Sequence, residues 1–214
     1  MGTSRPPAGK KKLKSTHGTL VIEDESGFSL IPNLGRTWSP KGVTPTIIHN
    51  FNWKRVSTIG GITLDGKIYF QVHDETIKGK QVAEYLRQLC REIDSHIVLL
   101  WDGARPHTSR VAKDFLEENS DRITAFRLPP YHPRFNPVEF LWSYLKYSKM
   151  RGFCPMQLSD LKRKLRYSVN SVRRKPEMVQ SYFRASAMPV GENAREKLLQ
   201  YCRPEMIKEL CIYQ

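Results

Sequence analysis

The chain has 214 residues, 39% of them hydrophobic and 26% charged, a balance that fits one globular α/β domain with room for a helical addition. No run of about 18 apolar residues occurs, which excludes a membrane-spanning helix, and the basic first residues have no apolar stretch behind them, which excludes a secretory signal. A formal net charge of +14 points to a polyanionic partner, nucleic acid before membrane.

Residues 1–17, with Pro6-Pro7 and Lys10, Lys11, Lys12 and Lys14, read as a flexible basic arm. Regular structure is predicted to begin at Gly18. Thr19-Leu20-Val21-Ile22 is a continuous apolar run that suits a strand buried on both faces, and it ends in Glu23-Asp24-Glu25. Phe28 to Leu30 reads as a second, returning strand. Pro32-Asn33 and Ser39-Pro40-Lys41-Gly42 are turn signals. Asp65-Gly66, between runs at 55–59 and 67–72, predicts a tight hairpin.

Apolar residues at 82, 85, 86, 89 and 93 give the stretch from Lys78 to Ile93 a helical period. His96 to Trp101 reads as the next buried strand, closing at Asp102. His107 to Glu118 reads as a helix that starts near Thr108 or Ser109, and Ile123 to Leu128 as a strand closed by Pro129-Pro130. Asn136-Pro137 opens a further helix, with Asn as cap and Pro at the first position. Val138, Leu141, Trp142 and Leu145 form its apolar stripe. From Met156 onward the chain reads as helical and basic, broken at Pro176, Pro189 and Pro204. Cys90, Cys154, Cys202 and Cys211 form no C-x-x-C pair. They read as reduced thiols of an intracellular protein, cytoplasmic or with the nucleoid, or nuclear in a eukaryote. An antiparallel start followed by alternating strands and helices predicts an α/β fold, a mixed sheet flanked by helices.

The acidic residues fall where such a fold collects ligands. Two apolar strands end in acids, at Asp24 and Asp102, and Glu139 lies in the first turn of the helix after the last strand. Three converging carboxylates repel one another unless a cation sits between them, and hard oxygen ligands suit Mg²⁺ or Mn²⁺. Two such ions would support phosphoryl transfer. Taken singly, each acid also fits a turn or a cap, or, for Glu139, a partner for the helix dipole. Period two puts Leu20, Ile22 and Asp24 on one face and Val21, Glu23 and Glu25 on the other, without choosing between them.

Three segments resemble the signature blocks of DDE-type transposases of the mariner-like superfamily and its bacterial insertion-sequence branch. The first is Glu23-Asp24-Glu25-Ser26-Gly27-Phe28, with Gly35-Arg36-Thr37-Trp38-Ser39-Pro40-Lys41-Gly42 beyond it. The second is Leu99-Leu100-Trp101-Asp102-Gly103-Ala104 with His107. The third runs from Leu128-Pro129-Pro130-Tyr131-His132-Pro133 through Asn136-Pro137-Val138-Glu139 to Leu141-Trp142-Ser143-Tyr144-Leu145-Lys146, with Phe135 where the family usually has Leu. With 36 residues between Asp102 and Glu139, the spacing is similar to the family's as well.

The resemblance implies a ribonuclease H-like fold with a C-terminal helical extension. Its domains would be the arm at 1–17, a DDE catalytic domain at 18–155 and a basic helical extension at 156–214. It also implies Asp24, Asp102 and Glu139 as catalytic residues holding two Mg²⁺ or Mn²⁺ ions, cleavage of double-stranded DNA at transposon ends, and transfer of the freed 3′-hydroxyl into target DNA. The partners implied are transposon-end and target DNA and a second copy in a homodimer. A helix-turn-helix part, which the family carries ahead of the first Asp, would come from a separate or longer chain. Candidate DNA contacts are Arg36, Trp38, His107, Lys162, Arg163 and Arg166. Trp38 could stack on DNA or a partner subunit, and His107 could orient a ligand or touch DNA. Trp142 is expected in the core, holding the helix that aims Glu139. The alternatives are a non-catalytic DNA-binding derivative of a transposase and another ribonuclease H-like nuclease.

Overall fold

A computed structural model describes residues 18–49, 52–128, 135–186 and 188. The basic arm, the turn from Pro129 to Pro133, Cys202, Cys211, Pro189 and Pro204 lie outside them.

The core is a five-stranded sheet in the order β3-β2-β1-β4-β5. Its strands are β1 (Thr19–Ser29), β2 (Arg55–Thr63), β3 (Ile68–His73), β4 (Ile97–Trp101) and β5 (Ile123–Arg127). β2 runs antiparallel to both β1 and β3, while β4 and β5 run parallel to β1. Helices α1 (Gly79–Glu92) and α2 (Arg110–Glu118) lie between β3, β4 and β5 in the chain. After β5 come α3 (Val138–Tyr144), a π-helical turn (Leu145–Lys149), α4 (Leu158–Arg173) and α5 (Pro176–Ala185). None of the described helices is long and apolar enough to cross a membrane.

The opening differs from expectation. The chain does not turn at the acidic run: β1 is one continuous strand of 11 residues, and Phe28 belongs to it rather than to a returning strand. Its ladder with β2 extends from Val21↔Thr63 to Ser29↔Arg55, so backbone pairing carries the strand straight through Glu23, Asp24 and Glu25. The returning strand is β2, and it runs on through Gly60-Gly61 to Thr63 instead of stopping at Ile59. The Asp65-Gly66 turn is present, with Gly66 at φ +88°.

Period two along β1 sorts the two cores. Leu20, Ile22 and Phe28 join a cluster with Leu141 and Trp142 of α3, Leu165 and Val169 of α4, and Val179 of α5. Val21 faces a second cluster with Val82, Tyr85 and Leu86 of α1 and Phe115 of α2. Each large side chain so buried contributes about 1.5–3 kcal/mol. Leu161, Leu165, Val169 and Val172 recur at helical spacing along α4 and are all buried, so this basic helix shares one core with β1 and α3 across the expected boundary at residue 155. Pro176 starts α5, a position that needs no backbone N–H.

Candidate active site

Two strands in register bring the aspartates together. The parallel pairing of β1 with β4 ends at Ile22↔Leu100. Asp24 and Asp102 each lie two residues beyond that rung and so share one height, Asp24 within β1 and Asp102 just past the end of β4. Beyond it β1 continues against β2 alone, while β4 stops at Trp101 and the chain turns away, opening a notch between them.

Asp24 points to the α3 side of the sheet, as its parity with Leu20 and Ile22 requires. It is only 9% exposed. Trp142 donates its indole N–H to Asp24 Oδ2 at 2.8 Å. Burial, followed by the charge of Glu139, pushes the Asp24 carboxyl up to about 7; the Trp142 bond opposes this without overcoming it. Trp142 can lie this close because the residue opposite Asp24 is Gly60. A Cβ there would stand 2.7 Å from Cη2 of the indole. Gly61, opposite Glu23, leaves equivalent room on the other face for Tyr85.

Glu139 sits exposed in the first turn of α3. The buried Val138, Leu141 and Trp142 seat that helix on the sheet. Asn136 fixes its start: its Oδ1 accepts from the Val138 N–H at 3.1 Å while the residue itself is buried. Asn136→Ala is expected to cost about 1 kcal/mol and to lower cleavage as well, because the turn it caps carries Glu139. Urea unfolding read beside a nicking assay checks both.

Asp102 is held in a different way. Its Oδ1 accepts from the Ala104 N–H at 2.7 Å and lies 2.9 Å from Nδ1 of His107. The His107 bond leads the influences that keep this carboxyl below the usual range, with Arg127 adding to them. The site therefore pairs an ionised Asp102 with an Asp24 that resists ionisation. Oxygens of Asp24, Glu25 and Asp102 come within 4.8 Å of one another, a set that could hold a metal ion. A hard divalent cation fits this all-carboxylate set and would relieve the Asp24 penalty.

Glu25 was not singled out from the sequence, though the acidic run was the signal for it. Glu23 and His107 form a buried cluster with it on the α1–α2 side. Glu23 is fully buried, and burial raises its pKa well above the carboxylate range. His107 is 3% exposed and stacks on Trp101 at 4.4 Å, so its ring is not presented at the surface. Burial works against the charged imidazole, but Asp102, Glu25 and Glu23 together outweigh it and hold its pKa well above the ordinary value.

The remaining candidate DNA contacts lie elsewhere. Arg36 and Trp38 belong to the connection between β1 and β2, where Trp38 is 100% exposed and Ile48 and Trp53 are also largely open. The foot of this connection is tied by a bridge between Asn33 and Arg151. Lys162 of α4 pairs with Asp74 at 2.6 Å, and Arg163 pairs with Asp160 within the helix at 2.7 Å. Arg166 lines a cleft of about 490 Å³ with His73 and Arg173. Since β3 runs in the same direction as β1, His73 and Asp74 lie at the same edge of the sheet as the aspartates.

This topology belongs to a known class. The family described as DDE superfamily endonuclease matches residues 19–155, more than half of the chain. Among curated proteins none matches. Among solved structures the chain is similar to the Mos1 strand transfer complex (TM-score 0.56, 19% identity, covering 81% of this chain and 56% of that one). It is also similar to the Mos1 mariner paired end complex with Mn (TM-score 0.57, 17% identity, 83% and 55%) and to the Mos1 transposase catalytic domain with Raltegravir and Mg (TM-score 0.51, 18% identity, 81% and 83%). The chain thus spans a little over half the length of the Mos1 chains in the first two. The mixed sheet and its helices are the ribonuclease H-like fold of the Mos1 catalytic domain. The chain belongs to the DDE superfamily of endonucleases.

Proposed function

We propose that this chain is the catalytic part of a cut-and-paste transposase, with Asp24, Asp102 and Glu139 as its metal-binding carboxylates. The observation that carries the reading is the register that sets Asp24, within β1, level with Asp102, just past the end of β4, with oxygens of the two and of Glu25 within 4.8 Å of one another. Glu25, within 4.8 Å of both aspartates, is a further candidate ligand. These side chains would hold Mg²⁺ or Mn²⁺, two ions when loaded, and the ions would supply charge neutralisation at the scissile phosphate. The carboxylates orient the attacking and leaving oxygens. In the first step a water oxygen bonds to phosphorus, the P–O3′ bond breaks, and the 3′-oxygen leaves as a hydroxyl. In the second, that 3′-hydroxyl gives up its proton as its oxygen bonds to a target phosphorus, and the target's own 3′-oxygen leaves and takes up a proton as a hydroxyl.

Double-stranded DNA would lie along the carboxyl edge of the sheet, with phosphates tracked by Lys162, Arg163 and Arg166 near the end of β3; the net charge of +14 supports this. The exposed Arg36–Trp38 connection suits a DNA strand or a second copy of the chain, and we assign it to a homodimer that pairs two DNA ends. Recognition of those ends is assigned to a separate N-terminal helix-turn-helix part.

A nicking and strand-transfer assay with Mn²⁺ tests the assignment. Asp102→Asn and Glu139→Gln are each expected to abolish cleavage with the fold intact by circular dichroism. A variant carrying both changes that still cleaves would refute the assignment. Hydrolysis by the wild type without joining to a second DNA would point to another ribonuclease H-like nuclease instead.

A further inference from the structure

His107 holds one oxygen of Asp102 in place. Its Nδ1–H donates to the Asp102 carbonyl at 3.1 Å and lies 2.9 Å from Oδ1. The Ala104 N–H takes the same Oδ1 from another side, and the His107 N–H closes the turn onto the Ala104 carbonyl at 3.1 Å. With Oδ1 hydrogen-bonded by the Ala104 N–H and in ion-pair contact with His107, Oδ2 is the oxygen left to face a cation.

The imidazole is itself fixed from two directions. Trp101, the last residue of β4, stacks on it with an interplanar angle of 8°. Across the ring, Nε2 lies 3.0 Å from Glu25 Oε1 and 3.3 Å from Glu23 Oε2. These are ion-pair distances without hydrogen-bond alignment, and both Glu23 oxygens, Glu25 Oε1 and His107 Nε2 are buried without a hydrogen bond. The ring thus spans from β1, which carries Asp24, to the end of β4, which carries Asp102. It braces the notch between the two strands.

We propose that His107 is a positioning residue for the metal site: it clamps Oδ1 of Asp102 so that Oδ2 is presented to the divalent cation. This rests on the assignment of Asp102 as a ligand made above. Outer partners that orient a ligand change metal affinity by roughly 10- to 100-fold when removed.

Two substitutions separate this role from a merely structural one. The amide nitrogen of Asn falls near the position of Nδ1, that of Gln near Nε2. His107→Asn therefore keeps the clamp on Asp102 and loses the glutamate side; His107→Gln does the reverse. Mn²⁺ binding to the full chain is measured by titration calorimetry for the wild type, Asp102→Asn and the two His107 variants, each checked by thermal unfolding. The expected result is near-wild-type affinity for His107→Asn and roughly 10- to 100-fold weaker binding for His107→Gln. Wild-type affinity in His107→Gln overturns the proposal, and so does lost affinity in a folded His107→Asn, so either variant alone can decide it. If Asp102→Asn fails to weaken Mn²⁺ binding by the wild-type chain, the ligand assignment falls and takes the clamp with it. Asp102→Asn weakened while His107→Gln is unaffected removes only the clamp.

Discussion

Asp24→Asn is expected to stabilise the metal-free chain by about 2–4 kcal/mol near pH 8 while reducing Mn²⁺-dependent cleavage to background. Ionising Asp24 in the fold means placing a charge at a site 9% exposed, beside Glu139. A rise to about 7 from the ordinary aspartate value corresponds to about 4 kcal/mol at most. The sign follows from proton binding. Below about pH 4 the carboxyl is protonated in both folded and unfolded chains, and the difference between wild type and variant is small. As pH rises toward 7 the unfolded chain releases its proton while the fold retains it, and the wild type loses stability that the variant keeps. Asn preserves an oxygen acceptor for the Trp142 N–H. Urea unfolding in EDTA across this range checks the prediction, and parallel pH profiles for the two proteins would overturn it. Mn²⁺ should return much of the lost stability to the wild type, about 2.7 kcal/mol at a hundredfold excess over its dissociation constant, and none to the variant.

The second large effect is centred on Trp142. Trp142→Ala is expected to cost about 3–5 kcal/mol, since the indole is fully enclosed and packs on Phe28 and Phe70 at 6.2 and 6.1 Å. Trp142→Phe keeps most of the bulk but withdraws the donor from Asp24, at a cost of about 1.5–3 kcal/mol where that carboxyl is ionised. The same ring explains a glycine. Gly60→Ala should cost about 1–3 kcal/mol in the wild type, because its Cβ meets Cη2 and Cζ2 of a ring that cannot retreat. In a Trp142→Phe background those atoms are missing, and most of the cost should vanish. A double-mutant cycle by urea unfolding measures this coupling, and additive costs would contradict it.

These two residues mark where the sequence was legible and where it was not. Asp102 could be found because a fully apolar strand runs into it. Period two sorts Asp24 from Glu23 and Glu25 by face but does not choose between the faces; only the resemblance to the transposase blocks singles out Asp24. The strand that pairs with it was harder, because Gly60-Gly61 reads as a break; only the rings of Trp142 and Tyr85, distant in sequence, make bare backbone favourable there. The continuity of β1 was hidden too, since three successive acids look like a turn until β2 supplies the ladder. The indole bond to Asp24 spans 118 positions and has no local signature. The burial of His107 was equally invisible, because Asp-Gly-Ala-Arg-Pro-His is a polar turn whose last ring folds back beneath the sheet edge. On α4 the apolar period was present, but the density of basic residues drew attention to its outer face.

The three consecutive acids also affect how the protein selects its own strand alignment. Were β1 to slip by one position, Glu23 or Glu25 would take the place of Asp24, and the metal-facing side would still present a carboxylate. The apolar residues before the acids would not oppose the slip, because Leu20, Val21 and Ile22 are buried whichever face they take. Discrimination comes from what each face offers: the Trp142 indole over Gly60, with its N–H for Asp24 and the Phe28 ring against it, on one side, and Tyr85 over Gly61, with the His107 imidazole beside Glu23 and Glu25, on the other. The aromatic and glycine residues around the site thus act as a frame selector, fixing which of three adjacent acids lies under the Trp142 indole.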